Sequence, residues 1–186
     1  MMSTQLLKPY LLSVLLFMLG VSGCNSAAQT QEGHLPELAN LQTLGEQARQ
    51  AQLPIVLMFG AQACHYCDVL STEIFNPMTL SGLYEGKVAF IRHVGIDEDA
   101  PILDFNGQSI VKREWAEALR TDLTPTVVFF DGTGKEIAPR IVGIPEITLY
   151  MELVHQGINA AYTNMGLNRQ IPSTPDQLAQ QQAQQP

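Results

Sequence analysis

A chain of 186 residues with 18 Asp and Glu against 10 Lys and Arg carries a formal net charge of −8. That balance excludes a nucleic-acid backbone or a polybasic membrane patch as the basis of binding. Without its apolar start and Gln-rich end the length suits one domain around one core, and three cysteines are too few for a disulfide-stapled scaffold.

Lys8 is the only charged residue before Cys24, and the apolar stretch Leu11 to Leu19 separates it from Gly20-Val21-Ser22-Gly23-Cys24. A positive start, a short apolar core and small residues before a cut describe an export signal. The apolar stretch is too short to cross a membrane, which takes about 20 residues. Val21-Ser22-Gly23-Cys24 resembles the bacterial lipobox. The resemblance implies a signal peptide over residues 1–23, cleavage before Cys24, and lipidation of that cysteine. The protein would then sit on the periplasmic side of a bacterial membrane, with Cys64 and Cys67 as its only free thiols. The alternative is an ordinary secretory signal with an incidental cysteine. Residues 24–37 are polar and rich in small side chains, as expected of a flexible tether.

Leu38 to Ala51 places Leu38, Leu41, Leu44, Ala48 and Ala51 at helical spacing. Pro54 to Phe59 is an apolar run suited to a central strand buried on both faces. Cys64 to Phe75 is predicted helical, stopping before Asn76-Pro77. Lys87 to Val94 is a predicted strand, Asp97 to Gln108 an acidic loop, and Val111 to Leu119 a helix. Thr126 to Phe130 and Glu136 to Val142 are predicted strands joined by the hairpin signal Asp131-Gly132-Thr133-Gly134. Pro145 opens a last helix whose apolar face carries Leu149, Leu153, Val154, Ile158 and Ala161. Residues 166–186, rich in Gln and Pro, are expected to be a disordered tail, which leaves residues 38–165 as the domain. The order α-β-α-β-α-β-β-α predicts an α/β fold with a central mixed sheet of about four strands flanked by helices. Its strand-helix-strand units favour parallel pairing, and the closing hairpin adds an antiparallel edge.

The chemistry concentrates in Cys64-His65-Tyr66-Cys67, where the first predicted strand meets a helix. A cysteine at a helix N-terminus has its thiolate favoured by unpaired N–H groups and the helix dipole. Cys64 is therefore the expected nucleophile, with a pKa below the free value of about 8.5. Cys67 lies on the same face within disulfide reach and is expected to resolve the mixed disulfide. A bridge across two residues adds little stability through chain entropy, so the pair points to redox chemistry rather than to a staple. Protonated His65 would stabilise the Cys64 thiolate and make the disulfide more oxidising; alternatively it faces solvent and changes little. Tyr66 either lines the substrate face or is a partly buried spacer. His34 and His155 are expected at the surface, and Met58 in the core. No cofactor beyond the disulfide and no metal are expected. A competing use of the thiols is copper(I), held by Cys64, Cys67 and one histidine. A closed four-cysteine zinc site within one chain is excluded by the count. Haem attachment is excluded because Asp68, not His, follows Cys67.

Cys64-x-x-Cys67 after the first strand, with Thr124-Pro125-Thr126 and then Val127-Val128-Phe129-Phe130-Asp131 downstream, resembles the thioredoxin-fold family over roughly Leu38 to Ala161. The resemblance implies a cis Pro125 packed beside the disulfide and a Thr124 backbone that binds substrate peptide. It also implies protein thiols and disulfides as substrates, with a membrane thiol reductant or oxidant to recycle the dithiol. Ile102-Leu103-Asp104-Phe105-Asn106-Gly107-Gln108, Trp115-Ala116 and Leu123 to Phe130 look like the exported thioredoxin-like proteins of bacterial sulfur-oxidation operons, the SoxW-type subgroup. That likeness implies electron delivery to oxidised thiols outside the cytosol. His65-Tyr66 pulls toward disulfide formation and the closer likeness toward reduction, which carries more weight. Three positions depart from the thioredoxin pattern: Met58 replaces a buried Asp, His93 a buried Lys, and Ala63 an aromatic residue. His93 is either a substitute acid–base group or a core histidine with a satisfied hydrogen bond, the second being favoured.

Overall fold

A computed structural model of the chain describes residues 34–184. The expected signal peptide, Cys24 and the expected tether up to residue 33 lie outside the described residues. Asn40 opens α1 (Leu41–Ala51), its side chain accepting the Thr43 N–H, and Gln52 ends it in the left-handed conformation. Leu41, Leu44 and Ala48 are buried. β1 (Ile55–Gly60) is buried at every position, as its unbroken apolar run requires. It pairs in parallel with β2 (Phe90–Gly95). Lys87 to Ala89, expected in that strand, instead form a turn closed on the Tyr84 carbonyl.

The dithiol helix outruns its predicted end. α2 (His65–Leu70) passes through one wide π-turn, Ser71–Phe75, into α3 (Asn76–Leu80). The wide turn lets the Asn76 N–H reach the Ser71 carbonyl. Pro77 thereby falls in the first turn of α3, where its missing N–H breaks no bond. The acidic loop also holds structure: β3 (Pro101–Leu103) and β4 (Ser109–Val111) form a small antiparallel hairpin leading into α4 (Lys112–Ala118).

β5 (Thr126–Phe130) and β6 (Glu136–Val142) follow the predicted boundaries. The main sheet has the order β2-β1-β5-β6. Only β1 and β2 are parallel; β5 runs antiparallel to both of its neighbours. The chain leaves β2 and enters β5 at the same end of the sheet, so hairpin and α4 make an excursion rather than a full crossover. Gly60, Gly95, Thr126 and Val142 thus gather at that end.

α5 (Tyr150–Asn164) starts later than Pro145 suggests, after a short 3₁₀ turn at Ile147–Leu149. Leu149 is exposed, while Val154, Ile158 and Ala161 face the core as expected. A Cβ at Gly157 would lie 2.1 Å from the Phe129 ring, so α5 crosses β5 at a distance only glycine permits. Apolar side chains fill both faces of the sheet. One layer, including Met58, Cys67, Phe75, Val127 and Ile158, underlies α2, α3 and α5. The other, including Leu41, Leu57, Phe59 and Phe130, underlies α1 and α4.

Both ends of the domain differ from expectation. The predicted tether already packs from Leu35, which is buried and whose N–H is accepted by Asn76 Oδ1 at 2.7 Å. The predicted disordered tail contains α6 (Pro175–Ala183), capped by Thr174 and seated through Leu178. Asn159 clamps Ile171 through both its N–H and its carbonyl, each at 2.8 Å. His155, expected at the surface, is buried between the Tyr84 hydroxyl at 2.8 Å and the Pro172 carbonyl at 2.5 Å. His34 is exposed as expected.

Candidate active site

β1 carries the chain straight out of the core at Gly60, and a three-residue loop then delivers Cys64 to the start of α2. The loop is fixed by two contacts. The Ile96 N–H donates to the Gly60 carbonyl at 2.8 Å, and the Gln62 N–H donates to Asp97 Oδ2 at 2.9 Å. Cys64 is the N-cap of α2, with its Sγ accepting the Cys67 N–H at 3.2 Å. A sulfur in that position faces the unpaired N–H groups that favour an anion.

Cys64 and Cys67 are joined in a disulfide with Cα atoms 5.2 Å apart. Cys64 is partly exposed and Cys67 buried at 4 %. Cys64 is thus the more accessible sulfur of the pair and Cys67 the more protected. His65 and Tyr66 project outward, their rings tilted against each other with centroids 5.8 Å apart. Tyr66 is 63 % exposed and so is not a buried spacer.

The Thr124–Pro125 peptide bond is cis. Thr126 pairs with Phe59 across the sheet, which places Pro125 beyond that pair, at the sheet end where Gly60 leads to the cysteines. Pro125 is buried and Thr124 partly so. The turn is held by the Thr126 hydroxyl on the Leu123 carbonyl at 2.5 Å and by the Gly143 N–H on the Pro125 carbonyl at 2.8 Å. Leu123 itself is 67 % exposed.

Behind the disulfide lies a polar network that the sequence does not advertise. Met58 is fully buried and pairs in register with His93. His93 is only partly buried, and its Nδ1 lies 2.5 Å from Glu37 Oε2. Glu37 reaches it because residues 36–38 pair with the free edge of β2: the His93 N–H donates to the Pro36 carbonyl and the Leu38 N–H to the His93 carbonyl, both at 2.8 Å. The other carboxylate oxygen of Glu37 accepts from Lys112 Nζ at 2.5 Å and from the Gly95 N–H at 3.2 Å. Lys112 also reaches Glu98 at 2.8 Å.

Burial would raise the Glu37 pKa, but the hydrogen bonds and charges of His93 and Lys112 outweigh it and hold the carboxyl below its ordinary value. Burial alone would lower the Lys112 pKa, and its two carboxylate partners reverse that and push it up. Sequence reasoning assigned Glu37 to the tether and passed over Lys112 and Glu98. The available signal was Leu35 and Leu38 flanking Pro36 and Glu37, an apolar pair that marks packed chain.

A cleft of about 410 Å³ opens beside Cys67 and is lined by His34, Asp68, His93, Asp97 and Glu98 among others. Among the described residues no three His, Cys, Asp or Glu side chains are grouped to hold a metal ion. No described helix is long and apolar enough to cross a membrane.

Residues 41–156 match the model of the thioredoxin-like domain family. No curated protein matches the chain. Among solved structures, thioredoxin O2 from Arabidopsis thaliana in its oxidised state is 23 % identical, with 66 % of this chain and 92 % of that one covered at a TM-score of 0.44. Mitochondrial thioredoxin 3 from Saccharomyces cerevisiae is 18 % identical, with 67 % and 92 % covered at 0.44. A thioredoxin-fold protein from Helicobacter pylori is 19 % identical, with 76 % and 91 % covered at 0.42.

Proposed function

The chain belongs to the thioredoxin-like domain family, and from that premise we propose that it is an exported, membrane-tethered thiol-disulfide oxidoreductase that reduces disulfides in protein substrates. The observation that carries the oxidoreductase reading is the Cys64–Cys67 disulfide at the start of α2, with one sulfur accessible and the other buried. In the reducing direction the Cys64 thiolate attacks a substrate disulfide, forms a mixed disulfide and expels one substrate thiolate. Cys67 then attacks Cys64, closes the Cys64–Cys67 bond and releases the second. Two electrons pass to the substrate, and a membrane thiol donor must return them. Tyr66, Leu123, Thr124 and Pro125 are the substrate-facing surface in this reading: two exposed apolar side chains beside a backbone turn suited to an extended peptide.

Export and anchoring rest on Lys8, the apolar core Leu11 to Leu19 and the lipobox-like Val21 to Cys24. The reducing direction rests on the likeness of Ile102 to Gln108 and Trp115-Ala116 to the SoxW-type proteins. One observation favours the opposite direction: exposed His65 adjoins the nucleophile, where its cationic form would stabilise the reduced state.

Equilibration of the Cys64–Cys67 couple against a glutathione buffer, with mass-tag trapping of the thiols in intact cells, decides between them. A potential near the thioredoxin value of roughly −270 mV and a mostly reduced pool support the reductant. A potential near roughly −120 mV with an oxidised pool makes the protein a disulfide-forming oxidant.

A further inference from the structure

Closing the Cys64–Cys67 bond from a mixed disulfide requires Cys67 to lose a proton, because the thiolate and not the thiol is the nucleophile. Cys67 is buried at 4 %, so a base close by would speed that loss. The nearby β1 side chain on this face, Met58, cannot titrate. One atom is placed to serve. A Cβ at Gly60 would stand 2.7 Å from His93 Nε2 and 3.3 Å from Cys67 Sγ. The ring nitrogen and the sulfur therefore both pack against the face of Gly60 where a side chain would stand, at most 6.0 Å apart and within reach of one bridging water.

The tautomer follows from the partners. Glu37 is held ionised and can only accept, so His93 Nδ1 carries the hydrogen of their 2.5 Å contact. Nε2 is then left with a lone pair directed to the cysteine side. Glu37 cannot turn away, because its second oxygen is tied to Lys112 and to the Gly95 N–H.

We propose that His93 is the proton-transfer residue of the resolving step, with Glu37 and Lys112 as the residues that position it. The inference rests on the oxidoreductase reading of the dithiol. In the mixed disulfide, Nε2 takes the Cys67 proton. The Cys67 thiolate attacks Cys64 Sγ, the Cys64–substrate S–S bond breaks, and its electron pair leaves on the substrate thiolate. The imidazolium then passes its proton through the open cleft. In reverse, it protonates Cys67 as the internal disulfide opens. The charged groups around the ring are Glu37 from the N-terminal segment, Lys112 from α4, Glu98 and Asp97 from the loop after β2, and Asp68 on α2, with His34 at the cleft rim.

The reduced protein, mixed with one equivalent of the aromatic disulfide dithiobis(2-nitrobenzoate), releases one coloured thiolate when Cys64 attacks and a second when Cys67 resolves. In the wild type the second release should keep pace with the first at pH 7. In His93→Gln the second release at pH 7 should fall at least about tenfold relative to the first. It should recover only as pH rises through the range of a free thiol. Glu37→Gln, which keeps the ring in place, should show a smaller loss with the same recovery at high pH, and it provides the reading should His93→Gln not fold. A purely structural role would change melting and leave both profiles where they are. Second-release profiles in the variants that coincide with wild type would overturn the assignment of His93. A wild type that releases the first thiolate and never the second would instead overturn the exchange reading of the cysteine pair.

Discussion

Iodoacetamide at mildly acidic pH should modify Cys64 before Cys67 in the reduced protein, and peptide mapping would show it. The expectation follows from the contrast in environment: Cys64 caps α2 and is partly exposed, whereas Cys67 is buried one turn further in. Cys67→Ser should accumulate mixed disulfides through Cys64, and Cys64→Ser should abolish exchange. Equal and slow labelling of both sulfurs would contradict these roles. Lys112 supports a second experiment at this scale. It is buried between two carboxylates that keep partial solvent contact. Lys112→Met should lower unfolding free energy by about 2–3 kcal/mol, somewhat less than a fully buried broken pair. The pH dependence has a fixed sign. Glu37 is held below its ordinary 4.5, so its contribution is complete above that pH and is lost as pH falls toward the folded value. Lys112 is held above 10.5, so its contribution is complete below that and is lost as pH climbs. Denaturation profiles of Lys112→Met should be flatter at both extremes. Of these residues, Cys64 and Cys67 are legible from spacing alone, because a pair three residues apart just after a strand is local information. Glu37 was not, since its partners His93, Gly95 and Lys112 are 56, 58 and 75 residues away and only the edge pairing of residues 36–38 brings them together.

Among the elements, β1 and β5 are legible nearly to the residue because a strand buried on both faces must be continuously apolar, and its run ends where burial ends; β6, only partly buried, is legible from the hairpin signal Asp131 to Gly134 that precedes it. The C-terminal segment was misread for the complementary reason. Its helix contributes one fully buried apolar side chain, Leu178, the chain before it adds only Ile171 and Leu167, and the other contacts are polar, through Asn159, His155 and Gln182. Composition does not report such clamps. They also make the attachment sensitive to acid. Burial lowers the His155 pKa below its ordinary 6.5, against the smaller opposing effect of the Pro172 carbonyl. The unfolded chain thus binds the extra proton first, and the contribution of His155 is complete above pH 6.5 and declines below it. Hydrogen exchange should show α6 and the Ile171 N–H losing protection between pH 7 and pH 5, ahead of β1. Leu178→Ala should cost about 2 kcal/mol at the low end of buried Leu truncations, because the site is peripheral. It should expose α6 to proteolysis while leaving the first step of disulfide exchange intact. An α6 already unprotected at pH 7 would refute the docking of this segment.

At the scale of the whole molecule, the packed domain begins close to the proposed anchor. Leu35 is already buried and bonded to Asn76, so at most residues 24–34 can separate Cys24 from the packed domain. Fully extended, that stretch spans at most roughly 40 Å, comparable to the diameter of a domain whose radius of gyration is about 15 Å. The attachment is also on the working side, since His34 and Leu35 line the cleft that reaches Cys67. A lipid on Cys24 would therefore keep the dithiol within about one domain diameter of the bilayer, where a membrane donor of electrons could meet it at high effective concentration. Fatty-acid labelling of the wild type and not of Cys24→Ser would establish the anchor, whereas an unlabelled, released wild type would remove it. With the anchor in place, tripling the tether with Gly/Ser residues should lower the effective concentration at the membrane about fivefold. The fraction of oxidised Cys64–Cys67 in cells should rise with tether length while exchange with a soluble disulfide in vitro stays constant. If the redox state is indifferent to tether length, the recycling donor is soluble, and the anchor serves only to keep the protein in its compartment.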